Sequence, residues 1–142
     1  MNELILVVED NEINQVLVRA VLEMDGLRVA VAASADEARE AIRNESPGVI
    51  LMDVQLPGED GLSLTRELKA DPATAAIPVV ALTAHAMRGD RELAFAAGCS
   101  GYIAKPIETR TFAGQVRQYL DQPEAPRQSR GGGEAGDRLV AR

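Results

Sequence analysis

Short apolar runs alternate with amphipathic stretches along the first 120 residues of the chain. The runs at 4–8, 29–33, 49–52, 79–82 and 101–104 are rich in β-branched residues. Those at 4–8, 49–52 and 79–82 show no polar alternation, the pattern of strands covered on both faces. Between them the spacing turns helical. Ile13, Val16, Leu17, Ala20, Val21 and Met24 share one side of a helix, and Gly26 supplies its stop. Ser34 and Glu37 form a Ser-x-x-Glu capping box ahead of Ala38, Ala41 and Ile42. Leu62, Leu64, Thr65 and Leu68 mark a third helix, ended by Asp71-Pro72. A fourth is predicted over 86–97, with a thin apolar stripe and Gly89 costing about 1 kcal/mol relative to alanine. A fifth is predicted over 107–120, with Phe112, Val116 and Tyr119 on one face. Five βα units of this length predict an α/β fold: a (βα)5 five-stranded parallel sheet with helices on both faces and right-handed crossovers.

The pattern stops at Asp121. Gln-Pro-Glu-Ala-Pro and then Arg130-Gly131-Gly132-Gly133-Glu134 carry no apolar period, so the organisation expected is one domain over 1–121 and a flexible tail over 122–142. Over 121–142, Asp121, Glu124, Glu134 and Asp137 balance Arg127, Arg130, Arg138 and Arg142. The formal charge of −7 on the 142 residues therefore lies in residues 1–120. An acidic domain disfavours nucleic acid, whose phosphates require clustered cations. The core must be aliphatic, because Phe95, Tyr102, Phe112 and Tyr119 are the aromatic residues present. A lone cysteine, Cys99, placed in the turn before the last strand, fits a reducing cytoplasm. The N-terminal apolar run is five residues long and ends in two acids, unlike a secretory signal. Nothing approaches a membrane span. Met1 directly ahead of the first strand favours a full gene product.

The residues standing at the strand ends change the picture. Val7-Val8 runs into Glu9-Asp10, Leu51-Met52 into Asp53, Ala81-Leu82 into Thr83, and Ile103-Ala104 into Lys105-Pro106. Open α/β sheets build their sites at that edge. Three carboxylates, a hydroxyl and an ammonium there have the parts to bind a divalent cation and accept a phosphoryl group on Asp53. Three like charges a few ångströms apart require a cation or raised pKa values. Mg²⁺, a hard octahedral ion, suits carboxylates, water and phosphate oxygens, with Mn²⁺ as the alternative. Lysines are scarce: only Lys69 and Lys105 occur among the 15 basic residues. A compact ammonium suits a point contact better than a guanidinium fork.

On these four motifs, in order and each at a strand end, residues 3–120 resemble a receiver domain of two-component signalling, the CheY-like fold. Val-Glu-Asp-Asn-Glu-Ile-Asn at 8–14 and Thr-Ala-His-Ala-Met-Arg-Gly-Asp at 83–90 look closest to stand-alone DivK-type receivers and to receivers of hybrid histidine kinases. The resemblance implies that Asp53 is the phosphorylated residue. It implies that Asp10, Asp53 and the Gln55 backbone carbonyl ligate the metal, with Glu9 acting through water. Lys105 pairs with Asp53 and then with the phosphoryl group, Thr83 and Tyr102 form the readout, and Pro106 shapes the loop through a cis Lys105–Pro106 bond. Gln55 and His85 at the rim tune the lifetime of the acyl phosphate.

The function expected is a single-domain response regulator, a phosphoacceptor rather than an enzyme. It would be loaded by a sensor histidine kinase or a histidine phosphotransfer protein and signal by protein binding through the face of the fourth helix, last strand and last helix. Neither nucleic acid nor membrane is an expected partner, and a monomer or weak homodimer is expected in the cytoplasm. Three other readings compete. A haloacid-dehalogenase-like phosphatase needs a second acid where Gln55 stands. A constitutive adaptor would make the acceptor set superfluous. A flavodoxin-like electron carrier needs a glycine- and hydroxyl-rich phosphate loop and stacking aromatics that the chain lacks.

Overall fold

The computed structural model describes residues 3–56, 58–84 and 88–121. The expected tail at 122–142 and His85 lie outside the described residues. The elements run β1 (Leu4–Val8), α1 (Glu12–Met24), β2 (Arg28–Ala32), α2 (Ala35–Asn44), β3 (Val49–Asp53), α3 (Gly61–Ala70), β4 (Val79–Thr83), α4 (Arg88–Ala97), β5 (Gly101–Ala104) and α5 (Phe112–Asp121).

All strand pairings are parallel, in the order β2-β1-β3-β4-β5. The unbroken apolar runs occupy the middle: every residue of β1, β3 and β4 is buried. β2 and β5 are the edges and are only partly covered. A parallel sheet buries both faces, and two cores result. On one face Leu6, Val8, Ile50, Met52 and Ala81 pack under α2, α3 and α4. On the other, Ile5, Val7, Leu51, Val80 and Leu82 pack with Val18 and Leu22 of α1 and Phe112 and Val116 of α5. Phe112, fully buried, serves this second core.

Two elements sit elsewhere than the sequence pattern put them, and β3 and β4 each run one residue further, to Asp53 and Thr83. β2 lies one residue earlier, at 28–32, because the Ala33 N–H is taken by the Glu37 carboxylate at 2.7 Å, one residue ahead of the N–H that a capping box uses, while the other arm of the box, Glu37 N–H to Ser34 Oγ, is in place. α5 begins at Phe112 rather than near 107. Residues 109–111 form a turn in which the Glu108 carbonyl accepts from both Thr111 and Phe112 N–H, and Pro106 ahead of it has no N–H to give a helix. Elsewhere the stops behave as their residue types require. Gly26 ends α1 at φ 85°, a left-handed value that only glycine adopts at no steric cost. Cys99 is buried in the turn between α4 and β5.

Candidate functional site

The strand order reverses between β1 and β3, and the C-terminal ends of β1, β3, β4 and β5 meet beside that point, the place where open α/β sheets form their crevice. The sheet ladder continues just past each strand and fixes the residues at its end. Glu9 N–H bonds to Ala32 carbonyl at 2.9 Å, Val54 N–H to Leu82 carbonyl at 3.1 Å, and Lys105 N–H to Thr83 carbonyl at 2.8 Å. Backbone bonds thus hold Glu9, Asp53, Thr83 and Lys105 at one edge. They line a polar pocket of about 280 Å³ together with Asp10, Asn11, Asn14, Val54, Gln55 and Ala84.

Carboxylate oxygens of Glu9, Asp10 and Asp53 all lie within 4.8 Å of one another. At that separation and an effective dielectric near 20, each pair of charges repels by about 3 kcal/mol. Glu9, 1% exposed, and Asp53, 6% exposed, are sheltered from water, while Asp10 faces solvent. The protein answers this repulsion in two ways. Lys105 Nζ reaches Glu9 Oε1 at 2.8 Å and Asp53 Oδ2 at 3.4 Å, so its nearer partner is Glu9. The Asp53 carboxyl is pushed up to about 6. Burial is the main cause and the Glu9 charge adds to it, against the Gln55 N–H donated to Asp53 Oδ1 at 3.1 Å and the Lys105 charge. Burial alone would lower the Lys105 pKa, yet the Glu9 hydrogen bond and the charges of Asp53 and Glu9 hold it above the ordinary lysine value.

The loop after Asp53 is tightly closed. Gln55 and Asp60 form an antiparallel bridge, Asp60 caps α3 by accepting from Leu62 N–H at 3.0 Å, and Gly61 N–H bonds to the Val54 carbonyl at 2.9 Å. A Cβ on Gly61 would stand 2.1 Å from the Asp53 carbonyl oxygen, so no larger residue fits without moving the backbone that carries Asp53.

The remaining sequence-predicted residues sit around this centre. Thr83 is buried at the pocket wall. The Lys105–Pro106 bond is cis. Tyr102 is half-buried on β5, outside the pocket, with its ring edge-on to Phe95 at 6.5 Å between centroids. Its hydroxyl accepts from Arg91 Nη1 at 3.1 Å, and the Arg91 guanidinium stands 5.4 Å from the ring centre. Sequence reasoning did not single out Asn11 and Asn14. Asn11 is the N-cap of α1, accepting from Asn14 N–H at 3.0 Å, and its own N–H bonds to Glu9 Oε2 at 3.2 Å. An asparagine between two acids and an amphipathic run is the available signal. The role of Gly61 had none, since its neighbour is set by the fold.

The donor set suits a hard divalent cation: three oxygen acids around one polar pocket, with a lysine balancing part of their charge and nothing soft among them. Comparisons with known proteins agree with this reading. Residues 5–117 match the response regulator receiver domain family. The chain is 42% identical over 120 residues to the polar-differentiation response regulator DivK of Brucella ovis, an alignment covering 84% of this chain and 98% of that one. Among solved structures it is similar to the receiver domain of a sensor histidine kinase from Pseudomonas aeruginosa, which holds a magnesium ion in its active-site cleft. That match has TM-score 0.77 and 36% identity and covers 85% of this chain and 99% of that one. It is similar also to the BeF3-activated receiver domain of RstA from Klebsiella pneumoniae, with TM-score 0.77, 32% identity and 84% and 99% covered. Among the described residues no helix is long and apolar enough to cross a membrane. By sequence, fold and the make-up of its acidic pocket, the chain belongs to the response regulator receiver domain family, the phosphoacceptor module of two-component signalling.

Proposed function

We propose that this protein takes a phosphoryl group from a phosphohistidine of a sensor kinase or phosphotransfer protein onto Asp53 and signals by a change at the α4–β5–α5 face. The observation that carries this reading is the convergence of Asp53, Thr83 and Lys105 with Glu9 and Asp10 on a single pocket. In the transfer, the donor N–P bond breaks as a bond forms from an Asp53 carboxylate oxygen to phosphorus, and the imidazole nitrogen keeps the electron pair. The site acts by position and charge compensation, because the transition state is loose and in line. Asp53 must be ionised to attack, which with a value of about 6 it is at neutral pH.

Asp10, Asp53 and the Gln55 carbonyl, with Glu9 through water, would hold Mg²⁺, whose charge would offset that of the phosphoryl oxygens. Lys105, already within reach of Asp53, shifts its contact to a phosphoryl oxygen. Thr83 donates its hydroxyl to another and draws the β4–α4 loop inward. Tyr102 then leaves Arg91 and Phe95 for the space vacated. Phe95, 49% exposed on α4 beside Tyr102, offers the apolar part of a docking face for the downstream target. A swing from 1:99 to 99:1 between the two states requires about 5.5 kcal/mol of differential stabilisation. Gln55, which lines the pocket, and by resemblance His85 are assigned to water access and hence to the lifetime of the phosphoryl group.

Incubation with acetyl phosphate and Mg²⁺ tests the reading. A phosphoryl mass shift should map to the peptide containing Asp53, vanish with EDTA and be absent from Asp53→Asn. Labelling of another residue, or undiminished labelling of Asp53→Asn, would overturn it.

A further inference from the structure

One arginine outside the pocket is bound to the loop that shapes it. Arg39, on α2, makes four hydrogen bonds to three carboxylates on three segments. Nε and Nη2 donate to Glu67 of α3 at 2.8 Å each, Nη1 donates to Asp36 of its own helix at 2.8 Å, and Nη2 donates to Glu59 at 2.7 Å. The Arg39 side chain is three-quarters covered, and that of Glu59 is 30% exposed. A bidentate, partly desolvated arginine pair of this kind fixes geometry as well as adding energy. Glu67 is accordingly held below the ordinary glutamate range by its Arg39 hydrogen bonds.

Glu59 is the informative partner. It lies in the loop between β3 and α3, next to Asp60, whose bridge to Gln55 closes that loop. Gln55 in turn donates its N–H to Asp53. A chain of direct contacts therefore runs Arg39, Glu59, Asp60, Gln55, Asp53. Gly58, at φ 77°, gives the same loop a hinge of low intrinsic stiffness. A side-chain tie is what compensates for it.

We propose that Arg39 is a positioning residue for the phosphoacceptor site, clamping the Glu59–Asp60 end of the β3–α3 loop to α2 and α3 and so holding the Gln55 carbonyl where the divalent cation needs it. This rests on the proposed metal site and adds to it a residue that does not line the pocket. The sign of the effect separates a clamp from simple charge. Arg39→Gln makes the domain more negative, so electrostatics alone would tighten Mg²⁺ binding. Loss of a clamp loosens it.

The test uses the full chain and isothermal titration with MgCl₂. Arg39→Gln should raise the Mg²⁺ Kd three- to tenfold. Glu59→Gln should raise it similarly, and the double variant should be no weaker than the worse single one, because both remove the same tie. A second readout needs no metal: in EDTA, amide hydrogen exchange at Gln55 and Gly61 should quicken at least fivefold in either variant, with the β4 amides unchanged. An Arg39→Gln protein that binds Mg²⁺ as well as or better than wild type, or fully additive single effects, would overturn the clamp. Should Arg39→Gln fold poorly, Glu59→Gln decides alone: wild-type affinity in that variant overturns the proposal. Absence of Mg²⁺ binding by the wild-type chain would instead overturn the metal site, and the clamp with it.

Discussion

Replacing Asp53 with asparagine should stabilise the metal-free protein at neutral pH, although it removes one of the two carboxylates beside Lys105. The Asp53 carboxyl is 6% exposed and its pKa rises from the ordinary 3.8 to about 6 on folding, chiefly through burial. The gap of about two pH units, at about 1.4 kcal/mol each, means that ionising Asp53 costs the fold about 3 kcal/mol. For an acid raised on folding, the native chain keeps a proton that the unfolded chain has released. The group's contribution is therefore fully present below about pH 3.8 and is lost as pH rises through about 6. Asparagine has the shape of the protonated acid and does not titrate. The stability difference between Asp53→Asn and wild type should then be near zero at about pH 4 and grow to about 3 kcal/mol by about pH 7.5. In Tm the difference is about 10 °C for a domain of this size. Urea unfolding monitored by far-UV circular dichroism suits a chain without tryptophan, run in EDTA at half-unit steps from about pH 4 to about pH 8. A difference that stays flat over this range, or in which the variant loses stability relative to wild type as pH rises, would refute the account of the acidic cluster. Saturating Mg²⁺ should shrink the gap at the alkaline end, because it binds the folded wild type.

Lys105→Met leaves Glu9, 1% exposed, as a buried charge without its ion-pair partner at 2.8 Å. It should cost about 3 kcal/mol in urea unfolding, and adding Glu9→Gln in the same chain should recover most of that loss. Gly61→Ala pushes a methyl group into the Asp53 carbonyl. We expect a loss of at least about 2 kcal/mol and acetyl phosphate labelling of Asp53 slowed by an order of magnitude, against wild-type rates that would remove the steric argument. Thr83→Ala should still be labelled on Asp53, while the Tyr102 ring, observed by NMR, should no longer shift on phosphorylation. A full Tyr102 response in that variant would separate Thr83 from the switch.

The central strands were readable because their burial is written in composition. Alternation of apolar and polar positions is absent from Leu4–Val8, Val49–Met52 and Val79–Leu82, and all three are covered on both faces. Where reading slipped, a local hydrogen bond had claimed a backbone group. Glu37 takes the Ala33 N–H and ends β2 early, and the Glu108 carbonyl closes a turn that delays α5 to Phe112. The polar residues of the pocket were legible as residue types at strand ends, since a parallel sheet brings such ends together whatever the helices do. Their pairing was not. Lys105 lies nearer to Glu9, at 2.8 Å, than to Asp53, at 3.4 Å, a choice made by the tertiary arrangement. Arg39 and Glu59, 20 residues apart in the chain, look like ordinary surface charges until α2 and the β3–α3 loop are set side by side. Gly61 is similar: nothing in Asp60-Gly61-Leu62 says that a backbone carbonyl occupies the space of its missing methyl.

The bond between Lys105 and Glu9 spans 96 residues of chain, and this orders events at the ribosome. Glu9 leaves the exit tunnel at the start of synthesis and its neutralising partner only when the last strand has been made. Until then the first strand cannot sink its terminal carboxylate into the sheet without a counter-charge. A nascent chain stalled before β5 therefore lacks more than packing; it lacks the cation that lets the earlier strands close over their own acids. The last residue of the pocket thus arrives with β5, and only α5, whose Phe112 and Val116 close the second core, remains to be made after it.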